Sequence, residues 1–80
     1  DKATGLQVLQ DYYDILDREV MTFGDNGNDL EMLQKYEHGY VMPNAEPFML
    51  QAVDKRALNT NVNDGVLATI EDYFGLASTS

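Results

Sequence analysis

Seven consecutive residues carry most of the chemistry this sequence offers: Phe23-Gly24-Asp25-Asn26-Gly27-Asn28-Asp29. Two carboxylates four residues apart, Asp25 and Asp29, flank an Asn-Gly turn. The segment follows a short apolar, partly β-branched run and precedes a helical pattern. That sets it at the carboxyl end of a strand, where open α/β sheets bind their ligands. Gly24 and Gly27 permit close approach of backbone to a ligand. Hard oxygen donors on such a loop suit Mg²⁺, which takes one or two carboxylates together with waters and substrate phosphate. The same residue types also crowd into ordinary turns, because Asp, Asn and Gly form turns well. A calcium EF-hand is excluded by spacing. Counted from Asp25, position six is Leu30 where glycine is required, and position twelve is Tyr36 where a bidentate glutamate is required. A phosphate-cradling P-loop is excluded because no Gly-Lys-Ser/Thr follows.

Other polar residues read more plainly. Lys2, taken alone, is a solvated surface lysine. His38 stands alone and is expected at the surface or at a strand edge. Asn44 and Asp64-Gly65 read mainly as turn and cap residues.

The elements that must position the loop follow from periodicity. Leu6, Leu9, Tyr13 and Leu16 recur at helical spacing, widened by Val8, Tyr12 and Ile15, with Thr4 and Gln7 as a capping box. Glu19 to Phe23 reads as a buried strand. A helix capped by Asn28 or Asp29 is predicted to run to about Tyr36, and Gly39 to Met42 reads as the next strand. A short helix is expected over Ala45 to Val53, capped by Asn44, with Pro47 in its tolerant first turn. Ala57 to Thr60 is a third strand candidate. Asn63 caps a last helix whose stripe is Val66, Ile70, Tyr73 and Phe74, stopped by Gly75. The tail Ala77 to Ser80 is expected to fray. Met32, Met42 and Met49 are core residues, and Tyr12, Tyr13, Tyr36 and Tyr73 are expected to be half-buried. The order α-β-α-β-α-β-α favours a parallel sheet covered by helices.

Composition narrows the setting. The chain has 80 residues, no cysteine, and a formal net charge of −9 from fourteen Asp and Glu against five Lys and Arg. That length makes at most one domain, and a domain of this size buries only about 60% of its unfolded surface. Without cysteine there is neither a disulfide nor a thiolate zinc site. The acidic balance argues against nucleic acid and anionic membranes as partners. No apolar run approaches a membrane span. A cytoplasmic setting is expected.

Taken together, the strand-G-D-N-x-N-D-x-x-M-L segment, Val41-Met42-Pro43-Asn44-Ala45, Asn61-Val62-Asn63-Asp64-Gly65-Val66 and the leading Lys2-Ala3-Thr4-Gly5 occur in order along nearly the whole chain. This series resembles the haloacid dehalogenase (HAD) superfamily, and within it the C-terminal section of Cof-like phosphatases. The resemblance implies a HAD-like Rossmannoid three-layer α/β fold with a parallel sheet. It implies a Mg²⁺-dependent phosphatase that hydrolyses small phosphorylated metabolites, sugar phosphates or phosphorylated cofactors, through an aspartyl-phosphate. By motif match Asp25 is the principal Mg²⁺ ligand. Asp29 is the second acid, reaching Mg²⁺ through water or orienting the lysine. Asn28 hydrogen-bonds the phosphoryl group or substrate. Lys2 contacts nucleophile and phosphate and stabilises transition-state charge.

The nucleophile of such enzymes lies in an Asp-x-Asp-Gly-Thr-like segment, and no Asp-x-Asp occurs here. Residues 1–80 are therefore expected to be the C-terminal portion of a HAD-like core domain. Cap and nucleophile segment would lie upstream, and the chain would need that N-terminal remainder to turn over substrate. A phosphomutase of the same superfamily and a catalytically silent fragment or interaction module are the alternatives.

Overall fold

The computed structural model describes residues 1–76. It holds seven regular elements in the predicted order: α1 (Lys2–Tyr13), β1 (Met21–Gly24), α2 (Leu30–Lys35), β2 (His38–Val41), α3 (Pro47–Ala52), β3 (Lys55–Arg56) and α4 (Val62–Tyr73). Single 3₁₀ turns lead into β1 (Asp17–Glu19) and α2 (Gly27–Asp29). The strands form one parallel sheet in the order β1-β2-β3. Phe23 pairs with Tyr40 and Gly24 with Val41, while Val41 also pairs with Arg56.

Strand alternation assigns the layers. Val41 faces a core of Ala3, Met32, Leu33, Tyr36, Met49 and Val53, built from α1, α2 and α3. Phe23 and Tyr40 face the other way, with rings stacked 5.3 Å apart. There α4 lies across the sheet. Its Tyr73 ring meets His38 edge-on at 4.9 Å. Burial, with Tyr73 and Asp72 of the same helix, pushes the Tyr40 hydroxyl pKa up. Helices on both faces of a parallel sheet make the three-layer α/β arrangement.

Helix boundaries differ from the sequence expectation where a cap is chosen by what lies beyond the window. The cap of α1 is Asp1, whose side chain accepts the Thr4 N–H at 2.8 Å, so Thr4 and Gln7 form no capping box. The α4 cap is Asn61, which accepts from Asn63 and Asp64, not Asn63 itself. Helix α3 starts at Pro47, whose fixed φ suits the first helical position, and Asn44 is not its cap. The third strand is Lys55–Arg56 rather than Ala57 to Thr60. The end of α4 is as expected: Gly75 adopts φ 67°, with Leu76 N–H bonded to Glu71 O at 2.8 Å and Gly75 N–H to Asp72 O at 3.2 Å. The expectation for Ala77 to Ser80 falls outside the described residues.

The largest correction concerns α1. Its buried residues are Ala3 and Gln10; of the expected stripe Leu6 packs against the core, whereas Leu9, Tyr13 and Leu16 are 49–64% exposed. Gln10 is buried because it is fully used. Its Nε2 donates to Asp17 Oδ1 at 2.8 Å and to Ile15 O at 3.3 Å, and its Oε1 accepts the Tyr36 hydroxyl. Tyr36 is accordingly buried, whereas Tyr12, Tyr13 and Tyr73 are exposed rather than half-buried. The α4 stripe is shifted likewise, with Gly65 and Thr69 innermost and Tyr73 and Phe74 exposed. His38 opens the central strand and is not at an edge. Met32, Met42 and Met49 are all in the core, at 8%, 2% and 0% exposure.

One close approach fixes α2 against the sheet. A Cβ built on Gly39 would stand 2.0 Å from the Leu33 carbonyl oxygen and 2.8 Å from its carbon. Those are backbone atoms, so nothing flexible can yield. Gly39→Ala is expected to destabilise the full-length protein by about 3 kcal/mol, at the upper end of overpacking costs. Urea unfolding measures it; an unchanged midpoint would show that helix and strand are not in this contact.

Candidate active site

The acidic loop begins where β1 ends and is built around one buried carboxylate. Asp29 is 3% exposed. Its Oδ2 accepts the backbone N–H groups of Asp25 and Asn26, each at 3.2 Å, and its own N–H donates to Asn26 O at 2.8 Å. The loop thus curls around the Asp29 side chain. Gly24 allows this, because a Cβ there would lie 2.7 Å from Asp29 Cβ. The end of β1 is tied down in turn by Met42 N–H, which donates to Gly24 O at 2.9 Å.

Lys2 comes from the first turn of α1, 27 residues away in sequence, and its Nζ donates to Asp29 Oδ1. The lysine is more than half exposed and the aspartate side chain nearly covered. Burial pushes the Asp29 pKa up. The Lys2 hydrogen bond, the two backbone donors and the Lys2 charge outweigh it, so the carboxyl sits below its ordinary range. Asp29 is ionised at neutral pH and both of its oxygens are engaged.

Asp25 is the opposite case. It is exposed, and among the described residues no cation or hydrogen-bond donor engages its carboxylate. With Lys2, Asn26 and Asp29 it lines a concavity of about 180 Å³, closed on the apolar side by Phe23, Met42 and Val62. Two larger concavities, about 230 and 310 Å³, include the first residues of β3 and of β1 and β2 respectively. They lie at the amino ends of the strands, whereas open α/β sheets bind ligands at the carboxyl ends.

Of the predicted site residues, the structure brings Lys2, Asp25 and Asp29 together. Asn28 is exposed on the outer turn of the loop and does not line the concavity. Asn26, which sequence reasoning left as an unspecified turn residue, does line it. Val62, at the start of α4, also reaches it, a neighbour that no local pattern signals. Asn44 is exposed, and Asp64 sits in the first turn of α4.

The donor set fits a hard divalent cation in part. Among the described residues no three His, Cys, Asp or Glu side chains converge. Mg²⁺ ordinarily takes only one or two carboxylates and completes its shell with water and phosphate. Asp25 offers a free carboxylate for that purpose. Asp29, with both oxygens already accepting hydrogen bonds, holds the loop and the ammonium group in place.

The chain is similar to known proteins. The chain is 40% identical over 76 residues to the 5-amino-6-(5-phospho-D-ribitylamino)uracil phosphatase YitU of Bacillus subtilis (strain 168), covering 95% of this chain and 28% of that protein. It is 43% identical over 70 residues to the phosphatase of the same name, YbjI, of Escherichia coli (strain K12), covering 88% and 26%. The crystal structure of SMU.1108c from Streptococcus mutans UA159 superposes with a TM-score of 0.79 at 35% identity, over 92% of this chain and 27% of that one. The chain therefore spans little more than a quarter of the length of these relatives. The family described as haloacid dehalogenase-like hydrolase matches residues 1–70, which include Lys2, the whole acidic loop and all three strands that carry it. With a match over most of its length and the parallel α/β sheet that it folds into, the chain belongs to the haloacid dehalogenase-like hydrolases.

Proposed function

We propose that the protein containing this chain is a Mg²⁺-dependent phosphatase, acting through an aspartyl-phosphate on small phosphorylated metabolites. This chain supplies the lysine and the acidic metal loop, as the C-terminal portion of the core domain. The remainder of the polypeptide supplies the nucleophile and the cap. The observation that carries the reading is the pairing of a free carboxylate, Asp25, with a lysine-bound one, Asp29, at the carboxyl end of β1.

Each residue has a task that its environment suits. Asp25 would hold the cation, with Asp29 at most reaching it through water. The cation, when bound, supplies positive charge that lets an anionic nucleophile meet an anionic phosphate. Asp29 orients Lys2, whose ammonium group faces the concavity and offers charge to the phosphoryl oxygens. Asn26 offers an amide at the same wall, and Asn28 reaches substrate only from the outer turn. The phosphate ester of a ribityl or sugar chain is the first substrate class to test, since two relatives carry the name of a phosphoribitylaminouracil phosphatase. A cytoplasmic setting completes the proposal, and among the described residues no helix is long and apolar enough to cross a membrane.

The test is phosphate release by the full-length protein from p-nitrophenyl phosphate and from 5-amino-6-(5-phospho-D-ribitylamino)uracil. Chelation of divalent cations is expected to stop turnover, and added Mg²⁺ to restore it. Turnover that persists in excess chelator would overturn the proposal.

A further inference from the structure

Phe48 is 52% exposed and stands outside the hydrophobic core cluster. Core packing therefore does not account for it. Its position is nonetheless fixed. It is the second residue of α3, after Pro47, whose ring sets the backbone at the helix start, and it precedes Met49, which is fully buried.

The ring lies beside the acidic loop. A Cβ built on Gly27 would stand 3.3 Å from Phe48 Cζ and 3.8 Å from Cε2. The backbone at Gly27 lies outside the left-handed region, since among the described glycines only Gly75 has positive φ. The backbone at 27 therefore does not itself require glycine, and a side chain there would press on the Phe48 ring.

The loop is pinned unevenly. Asp29 holds residues 25 and 26 through Oδ2. Gly27 and Asn28 form the exposed outer turn, and Leu30 N–H to Gly27 O is the bond that closes it from within. From outside, the Phe48 ring lies beside this turn at Gly27. A turn free to lift at 27 and 28 would strain the two bonds through which Asp29 holds Asp25 and Asn26.

We propose that Phe48 is a positioning residue for the metal loop, its ring bracing Gly27 so that the Asp25 carboxylate is held in one direction. This rests on the reading of Asp25 as the cation ligand. The brace acts on binding more than on chemistry, because Phe48 does not line the concavity.

The test compares Phe48→Ala and Phe48→Leu in the full-length protein. Amide hydrogen exchange of residues 25–29 is measured without metal, Mg²⁺ affinity by calorimetry, and kcat at saturating Mg²⁺. For Phe48→Ala, loop exchange is expected to quicken about tenfold and Mg²⁺ affinity to fall about tenfold, a loss typical of groups that orient a ligand from behind. The kcat at saturating Mg²⁺ is expected to stay within about twofold, since the residues lining the site are untouched. Leucine, which keeps an apolar group over Gly27, is expected to recover both losses. Unchanged exchange and unchanged Mg²⁺ affinity in Phe48→Ala overturn the proposal, whatever happens to kcat. Should the wild-type protein bind no Mg²⁺, the functional reading fails, while loop exchange still decides whether Phe48 braces the turn.

Discussion

Asp25→Ala in the full-length protein is expected to abolish Mg²⁺-dependent hydrolysis of p-nitrophenyl phosphate, a loss of at least about 10³-fold. The figure follows from a ligand that anchors a cation worth several kcal/mol of transition-state stabilisation. The structure makes this a clean substitution. Asp25 is exposed and its carboxylate bonds to nothing among the described residues, so removing it leaves no orphaned partner. Its backbone N–H still donates to Asp29, and that bond needs no side chain at 25. Thermal stability without metal is therefore expected to be unchanged, and the stabilisation that Mg²⁺ gives wild type to disappear. Asp25→Asn separates charge from shape: it keeps the volume and an acceptor oxygen, yet should lose most of the activity. Normal turnover in either folded variant would remove Asp25 from the site.

Element order was readable in the sequence because most elements carry their own period. The first two strands are short, largely apolar runs and the helices alternate with them, whereas β3 is the exposed pair Lys55–Arg56, which no apolar period marks. What periodicity could not tell is which side of α1 turns inward. Leu9, Tyr13 and Leu16 make the more apolar stripe, yet Gln10 faces in, because its amide finds Asp17, Ile15 and Tyr36. A satisfied amide is as compatible with burial as a leucine, and its partners lie outside any helical window. The exposed stripe belongs to a chain that spans about a quarter of its relatives' length. Tyr36 and Tyr12 are chemically alike and differ only in what surrounds them. The caps failed for a similar reason: Asp1 and Asn61 each precede the residue that local pattern singled out.

The site divides in the same way. The acidic loop was visible because its residues are contiguous, and turn chemistry is local. The bond between Lys2 and Asp29 spans 27 residues and was suggested only by family resemblance. Nothing within the loop tells Asp25 from Asp29, yet burial makes one a free carboxylate and the other a fixed anchor. Phe48 carried no signal at all. An aromatic residue in the first turn of a short helix reads as core, and only the packing of α3 beside Gly27 gives it another meaning.

Lys2→Ala is the second large effect, and it is expected in two observables at once. Turnover should fall by about 10²- to 10³-fold, the usual loss of one charge-stabilising donor. Stability should fall as well, in a pH-dependent way. The folded-state pKa of Asp29 lies below its unfolded value of about 4, because Lys2 and two backbone donors outweigh burial. Such a group stabilises the folded state fully above the unfolded value, and that stability is lost as pH falls through the folded one. Without Lys2 the two backbone donors remain, but burial has less to oppose it, so the folded pKa rises toward the unfolded value and the acid-sensitive contribution shrinks. Wild type is therefore expected to exceed the variant in urea midpoint at pH 7, and the gap to close as pH drops from about 4 downward. The gap is modest, because the lysine is more than half exposed and solvent screens the pair. A gap that persists undiminished in acid would mean that the lysine stem, and not the ion pair, stabilises the fold. A folded variant with normal kcat would make Lys2 a surface lysine, whatever its bond to Asp29.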